Sequence, residues 1–237
     1  MPNVQQISLL CSKSAKNINP ANIGWIRPDG IIKFTTKDAA KTYAVNRCVS
    51  ANKLQNKFER GIVVKDNMVL QEVDGKLLCV YMNHKKLSKY RGCDLYHNHP
   101  MPGTLSGPDF GQLKRQNYLK TIVAIDILGR YYSMTKLPLK KIKYLPHKIS
   151  DFLTKLSQIA RGLIKTETIE SKYIPDIRKL EKEVVKQQKQ LSEEELKKSP
   201  EYKALIEKVL KMASEVHEMW KENAESLGIK YEYKKLW

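Results

Sequence analysis

The sequence predicts a mixed α/β domain followed by an α-helical C-terminal region, and three observations carry that reading. Strand-like runs alternate with two helical stretches up to about residue 140, the order of a mixed sheet flanked by helices. Apolar residues then repeat at three- and four-residue steps almost to the C-terminus, as in amphipathic helices. Charge shifts at the same place: residues 1–150 hold 25 Lys/Arg against 9 Asp/Glu, and residues 151–237 hold 18 against 16. The expected division is therefore residues 1–145 and residues 146–237.

Residues 24–36 read as a hairpin, with Trp25-Ile26-Arg27 and Ile31–Phe34 joined by a Pro28-Asp29-Gly30 turn. A helix is predicted over Thr36–Leu54, with Ala40, Tyr43, Ala44, Cys48, Ala51 and Leu54 on one buried face. Strands are expected at Gly61–Lys65 and Met68–Glu72, and at Lys76–Met82 beyond an Asp74-Gly75 turn. Cys93–His97 and Thr121–Ile127 read as two more, separated by a helix from Pro108 to Leu119. Gly129 then leads into a short Tyr131–Met134 run.

In the second region Phe152, Leu156, Ile159, Ala160 and Leu163 mark one amphipathic helix. Ile177, Leu180, Val184 and Leu191 continue at near-heptad spacing, as in a helical hairpin arm. Ser199-Pro200 has the form of an N-cap followed by Pro at the first helical position. That helix runs through Leu205, Val209, Met212, Val216 and Trp220 to Gly228, its expected C-cap. Ile229–Tyr233 alternates as a final short strand. The apolar stripes are expected to be core or helix–helix packing.

Composition excludes several classes. Hydrophobic residues at 41% with 29% charged residues support a packed core and exclude wholesale disorder. No apolar run approaches the 18 or so residues of a membrane span, and Met1–Gln6 lacks the features of a signal peptide. A cytoplasmic protein is expected. The four cysteines (Cys11, Cys48, Cys79, Cys93) form no C-x-x-C pair, so ordinary buried thiols are expected rather than a structural zinc site or a disulfide framework. The net charge of +18 suggests an anionic partner, and Lys85–Arg91 and Lys136–Lys143 are basic with interleaved aromatics. Yet 35 of the 43 cations are Lys, and Arg is the usual choice for bidentate phosphate and base recognition. Nucleic acid is therefore the less favoured partner.

The chemistry lies in Tyr96-His97-Asn98-His99-Pro100 and Ser106-Gly107-Pro108-Asp109. Residues two apart on a strand point to one side, so His97 and His99 present both imidazoles to one point. Pro100 and Pro102-Gly103 turn the chain, and Ser106 opens the next helix with Asp109 in its first turn. Two His and one Asp with a position left open is the donor set of a catalytic zinc site. Ser106-x-x-Asp109 is equally the pattern of a simple capping box.

The pattern H-x-H-P followed by S-x-x-D resembles the signature of the JAMM (MPN-plus, JAB-domain) zinc metalloprotease family. The similarity covers about residues 30–135, since the helix and strand following the motif keep the family's order. Six residues separate His99 from Ser106, where many members have seven, and this spacing looks closer to phage and bacterial members. The resemblance implies an MPN-like fold, a Zn2+ cofactor held by His97, His99 and Asp109, and hydrolysis of amide or isopeptide bonds by a zinc-bound water. It also implies an upstream Glu as general base. Glu59, at the start of the first strand after the long helix, is the assignment, with Glu72 as the rival. Ser106 is implied as the donor to the oxyanion. The expected partner is a protein or peptide, with a ubiquitin-like conjugate as one substrate class. A strand edge could hold an extended tail, and the Met68–Met82 hairpin is the candidate for that edge. The alternatives are a RadC-like nucleic-acid-associated protein, since that type shares the motif, and a phage assembly protein using the domain for processing.

Overall fold

The computed structural model describes residues 23–26, 30–53, 58–75, 80–138, 147–188 and 190–236. Most of the Pro28-Asp29-Gly30 turn, Leu54, the first half of the Lys76–Met82 run, Cys11, Cys79 and much of Lys136–Lys143 lie outside those residues. The chain forms a mixed α/β protein with a C-terminal helical region, and it divides into two compact units. One comprises the chain up to Met101, Arg115–Thr135 and the residues from Tyr233 onward. The other comprises Pro102–Lys114 and Lys136–Glu232.

The sheet comprises β1 (Ile23–Ile26), β2 (Ile32–Phe34), β3 (Arg60–Lys65), β4 (Met68–Asp74), β5 (Cys93–His99), β6 (Leu119–Asp126), β7 (Arg130–Lys136) and β8 (Ile229–Lys235). Their order is β1-β2-β4-β3-β5-β6-β7-β8. β5 and β6 are parallel, and the other pairs up to β7 are antiparallel. The parallel step needs a long crossover, which the 99–119 excursion supplies.

Helix α1 (Lys37–Lys53) covers one sheet face. It starts where the Thr36 hydroxyl accepts from Ala39 N–H (3.1 Å), and Asp38 in its first turn and Lys53 in its last suit the helix dipole. Ala40, Tyr43, Ala44 and Cys48 pack on Phe34, Ile62, Val64, Val69, Tyr96, Val123 and Ile125, so these strand positions define the α1 face. Cys48 and Cys93 are buried free thiols, and burial raises both pKa values, that of Cys93 to about 11.

The expected Lys76–Met82 strand is not continuous: Val80–Met82 belongs to no strand. β3 pairs with β4 along its length, whereas β2 meets it only at Met68 and Val69; among the described residues the outermost strands are β1 and β8. A short helix, α2 (His84–Leu87), precedes β5, capped by the Asn83 side chain accepting from Lys86 N–H. The helix expected to reach Leu119 is α3 (Gly107–Arg115). Tyr118 and Leu119 are buried, with the Tyr118 carbonyl accepting from Cys93 N–H and Leu119 pairing with Cys93, so strand pairing overrides helical continuation.

The second unit contains α4 (His147–Gln187), α5 (Glu193–Lys198) and α6 (Pro200–Asn223). The two stretches expected on either side of residue 170 are one 41-residue helix that includes Pro175. α6 packs along α4, burying Tyr173, Ile177, Leu205, Val209, Ala213 and Val216. Ser199 caps α6 by accepting from Tyr202 N–H, with Pro200 at the first position as the sequence predicts. The helix closes at Asn223 rather than at Gly228. Gly228 ends the following turn at φ +68°, and an added Cβ there would lie 2.5 Å from Gln158 Nε2. Phe152 and Leu156, expected in the packed stripe, are 64% and 52% exposed, alongside Ile149 and Leu153. Among the described residues no helix is long and apolar enough to cross a membrane.

Candidate metal centre

Alternation along β5 separates its residues by face. Tyr96 belongs to the α1 core, so Leu95, His97 and His99 point to the opposite face. The two imidazoles converge there, Nε2 to Nε2 at 2.9 Å, with ring centroids 4.8 Å apart. One ligand atom from each of His97, His99 and Asp109 lies within 4.8 Å of the others; His97 is buried and the other two are half-buried. In a tetrahedral zinc site with Zn–N near 2.0–2.1 Å, two ligand nitrogens stand roughly 3.3 Å apart. A small parting of the imidazoles reaches that spacing. Two neutral imidazoles and a carboxylate suit zinc, and the group could hold a metal ion.

Asp109 is positioned by the start of α3. Ser106 N–H donates to Asp109 Oδ2 (2.8 Å), the Ser106 hydroxyl donates to the same oxygen (2.6 Å), and Asp109 N–H points back at Ser106 Oγ (3.3 Å). This is a capping box. The capping and metal readings of the segment are therefore compatible, because ligating carboxylates are commonly hydrogen-bonded on their outer side. A hydroxyl has one proton, so Ser106 must turn away from Asp109 to donate to a substrate oxygen. Burial, and after it the charges of Glu167 and Asp109, raise the Glu170 carboxyl pKa, so the field of Asp109 reaches α4.

Register separates the two upstream glutamates. Glu72 pairs with Ile62 and so shares the α1 face. There its carboxylate accepts from Tyr43 Oη (2.6 Å) and Arg47 Nε (2.7 Å), with Arg60 Nε 3.5 Å away. Gly61 pairs with His97 and Val63 with Leu95. Continued by two residues, that register brings Glu59 level with His99 on the imidazole face. Glu59 is half-buried just before β3, and its carbonyl accepts from Gly75 N–H (2.7 Å).

Asn98 was not singled out for a role by the sequence. It is fully buried on the α1 side, where its Oδ1 accepts from Arg60 N–H (2.6 Å) and its Nδ2 donates to Phe58 O (3.1 Å) and Asn52 Oδ1 (2.9 Å). One amide thus holds the backbone on both sides of Glu59. The signal was present: a polar residue at a buried strand position must find partners. Asp126 pairs in register with His99, and its carboxylate accepts from Leu128 N–H, Arg130 N–H and the Arg130 guanidinium. The free-energy role of that network is to close the β6–β7 turn.

No family model, curated protein or solved structure gives a match to this chain.

Proposed function

We propose that the chain is a zinc-dependent metallohydrolase of the JAMM type, with an MPN-like sheet as its frame, cleaving amide or isopeptide bonds. The observation that supports this most is the convergence of His97, His99 and Asp109, with Ser106 bonded to Asp109 beside them. The two imidazoles, as neutral ligands, and the Asp109 carboxylate would hold the ion. Zinc supplies Lewis acidity at such a centre, polarising a carbonyl and acidifying a water to a pKa near 7. Glu59 accepts the proton of the attacking water and returns it to the leaving amine, the role of a general base and then acid. Ser106, once its hydroxyl turns from Asp109, donates to the developing oxyanion. The substrate is an extended protein or peptide tail, and the basic residues of the first 150 suit an acidic one by speeding encounter. A ubiquitin-like conjugate is one member of that class.

Metal analysis paired with cleavage of a conjugate and peptide panel tests the proposal. Wild type should carry about one zinc per chain. Glu59→Gln should keep the zinc and lose about 10²–10⁴ in turnover. His97→Ala should lose both metal and cleavage. A wild-type protein that refuses zinc, or a fully active Glu59→Gln enzyme, would sink the assignment.

A further inference from the structure

We infer that the helical region positions the metal centre: Trp220 and Tyr231 hold the segment that presents Ser106 and Asp109. This rests on the metal reading above and assigns the helical region a part in it.

Residues 100–106 carry no regular structure, yet Thr104 is 7% exposed and Leu105 fully buried, unusual for a connecting loop. Two side chains account for their fixed path. The indole Nε1–H of the fully buried Trp220 donates to Leu105 O at 2.8 Å. Tyr231 Oη lies 2.8 Å from Thr104 Oγ1 and 2.9 Å from His217 Nδ1, forming a three-membered chain. The backbone and side chain immediately before Ser106 are thus tied to α6 and to β8.

The other side of Ser106 is held by packing. The Phe110 ring meets Trp220 at 5.1 Å between centroids. At Gly107 an added Cβ would fall 2.5 Å from Thr166 Oγ1, and at Gly162 it would fall 2.3 Å from Phe110 Cε1. α3 therefore lies close against α4, a glycine of one helix meeting a side chain of the other at two points. Lys114 Nζ completes the attachment, donating to Gln158 Oε1 (2.6 Å), Leu227 O (3.2 Å) and Gly228 O (3.4 Å). Residues 104, 105, 107 and 110 bracket Ser106 and Asp109 and are all held from the helical region. A buried N–H or carbonyl left without its partner is costly, so loss of either anchor shifts the loop rather than leaving a gap in its bonding.

The test uses the full chain with Trp220→Phe, Tyr231→Phe and, as a stability control, Val209→Ala. Zinc affinity is measured by chelator competition, and the d–d absorption of the cobalt-loaded protein reports ligand geometry. Both Phe variants should bind zinc more weakly, by up to the roughly 10–100-fold that losing a partner of a ligand itself costs. Their cobalt bands should shift, and kcat should fall with KM unchanged. Val209→Ala should lower the melting temperature and leave affinity and cobalt band as in wild type. Thr104→Val combined with Tyr231→Phe should cost no more than Tyr231→Phe alone, because the bond that Thr104→Val removes is already lost with the Tyr231 hydroxyl. Phe variants with wild-type affinity and spectrum overturn the inference while the metal reading stands. If Trp220→Phe does not fold, Tyr231→Phe decides alone. A wild-type protein that takes up neither metal overturns both.

Discussion

Asn98 stands between two convergent histidines and faces the other way, holding Phe58 O and Arg60 N–H on either side of Glu59. Asn98→Ala leaves the Arg60 N–H without that acceptor, which costs about 1–3 kcal/mol. The variant should melt earlier, keep its zinc, and lose turnover beyond what the same destabilisation costs a distant core variant. Unchanged kcat in the folded variant would assign Asn98 to stability alone. At this scale the candidate site was largely legible. The two-residue step of His97 and His99 on a strand and the Ser106–Asp109 step on a helix start are local rules. The parity that puts Glu72 under α1 was not legible, because it depends on which residue of β4 pairs with Ile62. Trp220 was readable as buried, but its acceptor lies 115 residues away. Periodicity shows that a face is covered and does not name what covers it.

Among the elements, α1, β3, β5, β6, β7, α6 and β8 fall near where alternation and helical spacing put them. The departures share a cause. α3 yields its last turn to the pairing of Leu119 with Cys93, and Val80–Met82 belongs to no strand, β4 being paired along its length by β3. Val80 Cγ1 instead lies 2.6 Å from where a Cβ on Gly61 would stand. The α4–α3 contact makes its own prediction. Gly162 lies within α4, where alanine would ordinarily add about 0.8–1.0 kcal/mol of helix stability. Its Cβ would meet the buried Phe110 ring, and overpacking costs about 1–3 kcal/mol. Gly162→Ala should therefore lower the melting temperature despite the better propensity, and Phe110→Leu should relieve part of the loss. A more stable Gly162→Ala single variant would show that α4 and α3 can part without cost.

For the whole molecule, the chain does not simply finish one unit and begin another: it passes to the second at Pro102, returns by Arg115, leaves at Lys136 and returns at Tyr233. Composition marks a charge shift near residue 150 but could not show that α3 belongs with the helices beyond it, since Lys114 and its acceptors are distant in sequence. That lysine makes global stability depend on pH. Its acceptors are neutral, and burial, followed by the charge of Lys155, lowers its pKa from 10.5 to about 8. Between those values the unfolded chain binds more protons than the folded one, so stability from this group rises with pH from about 8 to 10.5. In unfolding titrations wild type should gain on Lys114→Met across that window, whatever the offset between them at pH 7. A constant difference would mean the ammonium is not penalised in the fold.

The distance in sequence between the loop and its anchors also sets a schedule. Thr104 and Tyr231 are 127 residues apart, which a ribosome covers in roughly 6–25 s at about 5–20 residues per second. Throughout that interval the emerging chain has both histidines of the centre but not the partners of the segment bearing Asp109. On the proposed reading, the loop that presents Asp109 takes its fixed path only once Tyr231 has emerged, well after both histidines have been made.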